Sequence, residues 1–272
     1  MIIIVGKRSN LSKNIALQIE GCILISNSSE LETILNTTKI DEKIELIFNN
    51  FQISTKLNNC IDLAEYIDKS IYETSKTLDI LDKKEIYISK IIYTSSSSVY
   101  GNNKFCSEID NVMPMSLQAS LKVANEELIK RFCESRSINY TITRVFNMYG
   151  GDDRFSVISK IKDTYIKDIQ LNIINSGSAI RDFIYIFDVV DVYKKLLKSN
   201  NIPRVLNIAS GNGKRVQDIL NFLRTKDILI KTVNTQRNEL KASIANIDLL
   251  DTFVDTRNFM QVEDYLLREL RK

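Results

Sequence analysis

Residues 91–101 read IIYTSSSSVYG, a short apolar run followed at once by five hydroxyl-bearing residues. The apolar part has the composition of a buried strand, so the hydroxyl groups are predicted to lie at its carboxyl end. Further along, residues 114–122 read PMSLQASLK, and a helical pattern continues beyond Lys122 through residues 124–132. A strand followed by a helix in this way places the serine run and Lys122 at the same edge of a sheet.

Apolar runs of β type alternate with helical patterns along the chain. Strands are predicted at 2–5, 22–25, 44–48, 86–93 and 140–145, and helices at 11–20, 61–82 and 117–135. Past Gly150, helices are predicted at 154–168, 187–199, 216–226 and 261–270, with short strands near 171–174, 205–208 and 229–233. The alternation predicts an α/β fold with a Rossmann-type doubly wound parallel sheet. The chain is short between the second strand and the helix at 61–82, so one crossover is predicted to be a loop.

The composition is that of an ordinary globular protein. Of the 272 residues, 44% are hydrophobic and 26% are charged, which suits one large domain, or a large domain with a smaller lobe. Lys and Arg are dispersed and the net charge is only +3, so no nucleic-acid partner is expected. No apolar run approaches the ~18 residues that cross a bilayer, so no membrane association is expected.

The histidine and cysteine contents limit the kinds of catalytic and metal site that the chain can form. The chain has no histidine, which excludes histidine triads and bases and argues against a zinc site, so no metal is predicted. The cysteines show no CxxC spacing and are interpreted as reduced core thiols: Cys22, Cys60, Cys106 and Cys133. Residues 1–8, MIIIVGKR, indicate a strand and a loop rather than a signal peptide, so a cytoplasmic protein is expected.

Residues 6–12, GKRSNLS, connect the first strand to the first helix. Such a turn presents backbone N–H groups and a helix amino terminus to a pyrophosphate. Of the pattern G-x-x-G-x-x-G only Gly6 is a glycine, and Ser9 and Ser12 occupy the other two positions. The candidate dinucleotide-binding residues of this loop are Gly6, Arg8, Ser9, Leu11 and Ser12. The alternative is an ordinary strand-to-helix turn.

The end of the second strand indicates which dinucleotide is used. NAD-binding proteins of this architecture usually carry Asp or Glu there for the ribose hydroxyls. This chain has Ser26 and Asn27, with no carboxylate, while Arg8 in the first loop could reach a 2′-phosphate. The hypothesis is therefore a site for NADP(H) in preference to NAD(H). The alternative is that Lys7 and Arg8 are only solvated loop charges.

Six motifs follow one another in an order that resembles the extended short-chain dehydrogenase/reductase family, the nucleotide-sugar epimerases, dehydratases and reductases. They are SSSSVYG at 95–101, D-x-x-x-P through K-x-x-x-E at 110–126, RVFNMYG at 144–150, GSAIRDFIYIFDVV at 177–190, NIASG at 207–211 and RNEL at 237–240. The resemblance runs nearly end to end. It implies a dinucleotide-binding domain at 1–150, with contributions from 171–190 and 205–208, and a smaller nucleotide-sugar-binding lobe at 151–272.

The resemblance also assigns roles by position. Ser96 would hydrogen-bond the sugar oxygen that is oxidised or reduced, and Lys122 would bind the nicotinamide ribose and lower the pKa of a neighbouring acid. The alternative for Lys122 is a surface lysine. The implied substrate-binding residues are Ser96, Ser97, Asn147, Arg181 and Arg237. The two arginines would grip the diphosphate, or else they form ion pairs with Asp182 or Glu239.

Gln118 occupies the position of the family's catalytic tyrosine. A tyrosine phenol can give and take a proton, whereas a glutamine amide can only donate a hydrogen bond to a carbonyl. Four explanations are open: a proton path through Ser96 and water, another acid such as Tyr100, an engineered variant, or binding without turnover. General acid–base catalysis contributes about 10²–10⁴-fold, so its loss need not abolish hydride transfer.

The motifs favour an NADPH-dependent reductase of a nucleotide-linked 4-keto sugar, which would supply a deoxysugar for polysaccharide. A 4-epimerase is the close alternative, and a 4,6-dehydratase is disfavoured because Ser97 and Ser98 stand where that branch carries Asp-Glu. The alternative of another class is a catalytically silent protein that binds dinucleotide or nucleotide sugar. By analogy with the family, a homodimer through the helices at 61–82 and 117–135 is expected.

Overall fold

The computed structural model describes residues 1–38, 43–50 and 63–271, which fall into two compact units. Within those limits the first unit comprises 1–101, 112–144 and 193–206, and the second comprises 102–111, 145–192 and 207–272. The units therefore differ from a single division at residue 150, because the segment 102–111 carries a strand that pairs inside the second unit. The cofactor and sugar roles of the two lobes stay predictions.

Strands and helices alternate through most of the chain. The strands are β1 (Ile2–Val5), β2 (Cys22–Ile25), β3 (Ile44–Phe48), β4 (Ile88–Ser96), β5 (Phe105–Cys106), β6 (Asn139–Val145), β7 (Asn147–Tyr149), β8 (Leu171–Ile174), β9 (Ile180–Tyr185), β10 (Val205–Ile208), β11 (Gly213–Arg215), β12 (Thr232–Thr235) and β13 (Ala242–Ala245). The helices are α1 (Asn10–Gln18), α2 (Ser28–Thr37), α3 (Leu63–Ile67), α4 (Glu73–Lys83), α5 (Leu117–Ser135), α6 (Val157–Ile166), α7 (Ile186–Lys198), α8 (Val216–Arg224), α9 (Asp248–Asp251) and α10 (Val262–Leu270). None of these described helices has the length and apolar character needed to cross a bilayer. Cys106 and Cys133 are buried thiols and Cys22 is half-buried, while Cys60 lies outside the described residues.

A sheet of six strands in the order β10-β6-β4-β3-β1-β2 organises the first unit. Strand β1 pairs in parallel with both β2 and β3, and β3 pairs in parallel with β4. Strand β2 therefore lies on one side of β1, and strands β3 and β4 lie on the other side. Strand β3 is apolar on both faces, and Ile44, Leu46, Ile47 and Phe48 are fully buried, as in a sheet covered by helices on both sides. The predicted Rossmann-type α/β fold is confirmed.

The connection between β2 and β3 contains a helix, so the prediction of a loop there is wrong. Helix α2 begins after Asn27, whose side-chain oxygen accepts a hydrogen bond from the Glu30 N–H at 3.0 Å. Leu31 is fully buried and gives this helix its inward face. The strands β9, β11 and β13 are not predicted either. They have only three to six residues each and include polar ones, so their sequences show no clear alternation.

A wide turn at Asp68–Tyr72 joins α3 to α4. The N–H of Glu73 donates to the carbonyl of Asp68, five residues earlier, as in a π-helix. The Ser70 carbonyl in this π-turn accepts a hydrogen bond from Asn125 Nδ2 of α5 at 2.6 Å, so the turn is anchored to α5. The helix predicted at 61–82 is found from residue 63 onward, and residues 61 and 62 lie outside the described part of the chain.

Asp182 on β9 links three segments of the second unit by hydrogen bonds. Its strand lies in a sheet with the order β11-β9-β13-β5, and β7 also pairs with β9, while β12 and β8 form a separate pair. The fully buried carboxylate accepts hydrogen bonds from the N–H and hydroxyl of Ser210 at 2.8 and 2.7 Å, and from the N–H groups of Gly211 and Ala245 at 3.0 and 3.2 Å. Burial raises the pKa of Asp182, and these hydrogen bonds oppose the rise.

Lys90 is a buried cation that caps the carboxyl end of α7. It lies on β4 and is 5% exposed. Its Nζ donates to the carbonyls of Leu196, Leu197 and Ser199 at 2.8, 2.6 and 2.9 Å, and lies 3.3 Å from Glu45 Oε1. The last carbonyls of a helix have no partner within the helix and carry the negative end of its dipole. The one ammonium group bonds two of them, those of Leu196 and Leu197, and the carbonyl of Ser199 just past the helix end.

We expect Lys90→Met to lower the free energy of unfolding by about 3 kcal/mol, because the buried carbonyls lose a charged donor. Urea unfolding followed by circular dichroism measures this change. Lys84→Met is the matched control, since the Lys84 ammonium donates to the exposed Asn36 side chain, at 2.7 Å. Equal unfolding midpoints for the two variants would contradict the capping role.

Candidate active site

The serine run lies at the carboxyl end of β4, as the sequence predicts. Ser95 and Ser96 are the last residues of the strand, and Ser97–Tyr100 form a 3-10 turn directly after it. The Ser96 hydroxyl oxygen accepts a hydrogen bond from the Ser98 N–H at 3.2 Å, which caps this turn. Ser96 and Ser97 are half-buried, so both side chains remain partly accessible at the edge of the sheet.

Lys122 reaches from α5 to the same end of β4. Its Nζ donates a hydrogen bond to the Thr94 carbonyl at 2.7 Å and lies 5.0 Å from the centre of the Tyr93 ring. Helix α5 is capped by the Ser116 hydroxyl, which accepts a hydrogen bond from the Ala119 N–H, so Lys122 lies in the second turn. Lys122 is only 7% exposed, which excludes the alternative of a surface lysine.

The burial of Lys122 changes its acidity. An ammonium group taken out of water loses hydration, and burial accordingly lowers the pKa of Lys122 to about 7. The Glu126 carboxylate, one helical turn further on, opposes this shift. Lys122 can therefore bind and release a proton near neutral pH, which an exposed lysine does not do.

Glu126 and Arg144 form a buried ion pair next to the serine run. Glu126 Oε2 lies 2.8 Å from Arg144 Nη2, and Glu126 Oε1 accepts hydrogen bonds from Arg144 Nε at 3.3 Å and from the Ser95 hydroxyl. The Arg144 guanidinium also lies 4.8 Å from the centre of the buried Tyr100 ring. Sequence reasoning gave Glu126 and Arg144 no role, although both belong to the quoted motifs, and those motifs are the signal that points to them.

Gln118 and Lys122 line one small pocket of the first unit, together with Tyr93. The other lining residues are Asn50, Tyr66, Ser70, Leu121 and Asn125. Gln118 is half-buried, one helical turn before Lys122. Burial raises the pKa of Tyr93 far above its usual range, so its phenol stays protonated. The pocket can thus hold a carbonyl oxygen by a hydrogen bond from the Gln118 amide and exchange a proton at Lys122.

Gly6 and Ser9 provide space and a hydroxyl group at the end of β1. Gly6 has φ +111°, and a Cβ atom built on it would lie 2.6 Å from the Asn49 carbonyl oxygen, so a side chain does not fit. Ser9 is the N-cap of α1 but makes no side-chain capping bond. Its buried hydroxyl has no hydrogen-bond partner in the part of the chain that the structure describes. An unpaired hydroxyl at a helix amino terminus fits the pyrophosphate of a dinucleotide, whereas Arg8 is an exposed loop residue.

Ser12 and Leu11 turn inward. Both are fully buried, and the Ser12 hydroxyl accepts a hydrogen bond from Asn49 Nδ2 at 3.1 Å. The Asn49 side-chain oxygen accepts from the Thr94 hydroxyl, which lies 2.6 Å from the Tyr193 hydroxyl. The side chains of Ser12 and Leu11 therefore pack α1 against the sheet. Their backbone N–H groups, in the first turn of α1, remain candidates for cofactor binding.

The carboxyl end of β2 holds two carboxylates that sequence reasoning missed. The N–H of Ser26 donates to Glu30 Oε2 at 2.9 Å, and the N–H of Ser28 donates to Glu73 Oε2 at 2.8 Å. Residues 27–30, NSSE, have the spacing of a capping box, which is the local signal for Glu30. No local pattern signals Glu73, because it comes from α4.

In the second unit, Arg181 and Arg237 belong to one hydrogen-bond network. Arg181 Nη2 lies 3.1 Å from Glu239 Oε2, which is the ion pair that the sequence offers as the alternative to diphosphate binding. Asn175 Nδ2 donates to Glu239 Oε1 at 2.9 Å and to the Arg237 carbonyl at 2.6 Å. The Arg237 side chain is exposed. Asn147, on β7, donates to a main-chain carbonyl of β9 at 3.1 Å.

Comparison with known proteins agrees with this arrangement. Residues 4–209 match the family model described as NAD dependent epimerase/dehydratase family. Protein CapI of Staphylococcus aureus is 25% identical over 265 residues, which cover 88% of this chain and 79% of CapI. A putative UDP-glucose 4-epimerase of Methanocaldococcus jannaschii is 27% identical over 197 residues, 68% of this chain and 63% of that protein, so the match spans less than two thirds of it.

Solved structures share the fold at lower identity. MoeE5 in complex with UDP-glucuronic acid and NAD has a TM-score of 0.84 and 16% identity, with coverage of 99% of this chain and 97% of that chain. The UDP-glucuronic acid 4-epimerase of Bacillus cereus, in complex with UDP-glucuronic acid and NAD, has a TM-score of 0.80 and 20% identity, with coverage of 100% and 98%.

The family match takes in the glycine turn after β1, the serine run and Lys122. The class defined by this fold and this motif order is that of the extended short-chain dehydrogenases and reductases, and the expected resemblance is confirmed. Within that class, the chain belongs to the NAD dependent epimerase/dehydratase family.

The two serines that replace glycines in the first loop are expected to behave oppositely. Ser9→Ala removes an unpaired buried hydroxyl, so stability should stay within about 0.5 kcal/mol of the parent while dinucleotide affinity falls several-fold. Ser12→Ala breaks the bond to Asn49 and should cost about 1 kcal/mol or more of stability. Urea unfolding and fluorescence titration with reduced dinucleotide measure the two quantities. A large stability loss in Ser9→Ala would show that its hydroxyl is structural.

Lys122 should make stability rise with pH above neutrality. The folded state releases the Lys122 proton near pH 7, whereas the unfolded chain keeps it up to about pH 10.4. The unfolded state therefore binds more protons in this window, and the free energy of unfolding of the parent relative to Lys122→Met should increase by roughly 1 kcal/mol per pH unit between about pH 7 and 9. Urea unfolding at several pH values measures this difference. Lys130→Met, on the exposed side of the same helix, is the control and should show a constant difference.

Proposed function

We propose that this protein reduces a nucleotide-linked 4-keto sugar with a reduced nicotinamide dinucleotide. The observation that carries the proposal is Lys122, whose Nζ is bound to the Thr94 carbonyl at the end of β4 in a pocket that Gln118 also lines. When bound, the nicotinamide cofactor supplies the hydride. The product would be an activated deoxysugar for polysaccharide biosynthesis.

Different residues are assigned to different parts of the cofactor and the substrate. Gly6 and the Ser9 hydroxyl suit a dinucleotide pyrophosphate, as their geometry fits an approaching anion. Lys122 is assigned to the nicotinamide ribose, and Ser96 to the sugar oxygen. Because the MoeE5 and Bacillus cereus structures hold NAD with a UDP-sugar, the proposed substrate of this chain is a nucleotide-diphosphate sugar. Its diphosphate is assigned to the guanidinium groups of Arg181 and Arg237, with Asn147 and Ser97 as further contacts.

The pocket offers the groups that the reduction of a ketone needs. The Gln118 amide can donate a hydrogen bond that polarises a carbonyl, but it cannot remove the proton of a hydroxyl group. In the reductive direction the new alkoxide needs only a proton, and Lys122, with a pKa of about 7, can deliver one directly or through Ser96 and water. A 4-epimerase must first oxidise the sugar, and because neutral Lys122 could accept the hydroxyl proton in that step, the 4-epimerase stays the alternative.

A second candidate is a binding protein without turnover. It is favoured by Gln118 itself and by the serines at two glycine positions of the first loop. The ion pair between Arg181 and Glu239 gives that arginine a structural role, so the arginine alone does not require a substrate. The two candidates differ in one measurable property, the oxidation of the reduced cofactor by a keto sugar.

We expect the parent to turn over slowly and Gln118→Tyr to be faster by about 10²–10⁴-fold, because the phenol restores a general acid next to Lys122. Gln118→Leu, of similar size but without a donor, should be about tenfold slower than the parent. Absorbance of the reduced nicotinamide, followed with a panel of nucleotide-linked 4-keto sugars, measures these rates. Turnover in Gln118→Tyr alone would favour the binding protein. Bound cofactor without turnover in either form would overturn the proposal.

A further inference from the structure

Glu239 pairs with Arg181, one of the two arginines that the proposed function assigns to the diphosphate of the substrate. Its Oε2 lies 3.1 Å from Arg181 Nη2. We propose that Glu239 is a built-in anion, which holds Arg181 in the absence of nucleotide and is displaced when a nucleoside diphosphate binds. The inference rests on the proposed function in taking Arg181 as a diphosphate ligand. It makes Glu239 the residue that limits the affinity of this site for nucleotides.

The pair between Arg181 and Glu239 is partly shielded from water. The two side chains are 20% and 21% exposed. Burial lowers the pKa of Arg181 from its usual value, and the charge of Glu239 opposes this shift. Because a guanidinium group stays charged in proteins, a partly buried arginine needs an anion beside it. Glu239 supplies that anion within the protein itself.

Asn175 fixes Glu239 from the other side. The Asn175 Nδ2 group donates to Glu239 Oε1 at 2.9 Å and to the Arg237 carbonyl at 2.6 Å, and Asn175 Oδ1 accepts from the Arg237 N–H at 3.1 Å. Each oxygen of Glu239 therefore has its own donor, an amide for Oε1 and the Arg181 guanidinium for Oε2. Guanidinium and amide groups are also the donors that bind phosphate oxygens. The carboxylate thus uses donors that a diphosphate would need.

The turn that carries Asn175 has an unfavourable backbone conformation. Asn175 and Ser176 have φ values of +46° and +57°, in the left-handed region, and Gly177 follows at +71°. Such a conformation costs free energy in residues other than glycine, so bonds from the surroundings must hold it. One of them joins the Ser176 N–H to Asn234 Oδ1 at 2.7 Å. Part of the free energy of these contacts opposes the strain, which makes the arrangement around Glu239 easier to open.

Displacement of Glu239 lowers the affinity for nucleotide. The incoming diphosphate must break the bond between Glu239 and Arg181, and it then lies near a carboxylate of the same charge. Removal of the Glu239 charge should therefore tighten nucleotide binding. A glutamate that only oriented Arg181 for the ligand would give the opposite result, because its loss would weaken binding.

The test is calorimetric titration with UDP, CDP, GDP and dTDP, of which the most tightly bound is used to compare variants. Glu239→Gln keeps the length of the side chain and an acceptor for Asn175, and should bind this nucleotide about five- to tenfold more tightly than the parent. Arg181→Gln should bind it at least about tenfold more weakly. Glu263→Gln is the matched control, because Glu263 is 22% exposed and pairs with Lys214 at 2.6 Å. Its affinity should change less than about twofold.

The melting temperature of each variant without nucleotide shows that it is folded, and Glu239→Ala, which should also bind more tightly, replaces Glu239→Gln if the latter is not. Unchanged or weaker binding by the Glu239 variant, with binding by Arg181→Gln impaired, would overturn the inference alone. Parent-like affinity in Arg181→Gln would overturn the diphosphate assignment and the inference with it, as would no nucleotide binding in any form. Tighter binding by the Glu239 variant without reduction of any keto sugar would overturn only the reductase proposal.

Discussion

Thr94 is the residue on which the first unit's polar architecture depends, because it bonds in three directions at the end of β4. Its carbonyl accepts the Lys122 ammonium, and its hydroxyl contacts Asn49 and Tyr193. Asn49 carries the connection on to Ser12 of α1. These bonds attach both Lys122 of α5 and helix α1 to the carboxyl end of β4. Burial of Lys122 at this point is also what moves its pKa into the neutral range.

Much of the fold could be predicted from the sequence, since the core strands and the long helix carry strong local patterns. The bounds of β3, α5, β8 and β10 agree with the expectation because apolar runs or helical spacing define them without ambiguity. The missed elements lack such patterns. Helix α2 is short and rich in Ser and Thr, which favour caps and turns over helix interiors, and β9 is defined by pairing with distant strands rather than by its own composition.

The candidate site was predictable to a smaller extent. The motif spacing places Lys122 at the end of β4. The sequence alone cannot show that the Ser9 hydroxyl has no hydrogen-bond partner among the described residues, whereas the Ser12 hydroxyl accepts a bond from Asn49. The position of Glu73 could not be predicted from the sequence, for a different reason. It meets the Ser28 N–H across 45 positions in the chain, and only the packed structure brings the two together. Side chains that meet through such long-range contacts leave no local signature in the sequence.

The position of Tyr66 in the pocket wall depends on the number of residues in the π-turn at Asp68–Tyr72, and not only on which residues line the pocket. A π-turn contains one residue more than the α-helical turn it replaces. If a descendant lineage lost that residue, a regular helix would form and the preceding segment would rotate by about 100°. Tyr66 would then leave the pocket although no lining residue had been substituted. A sequence alignment would show only a one-residue gap, although the set of residues that line the pocket had changed.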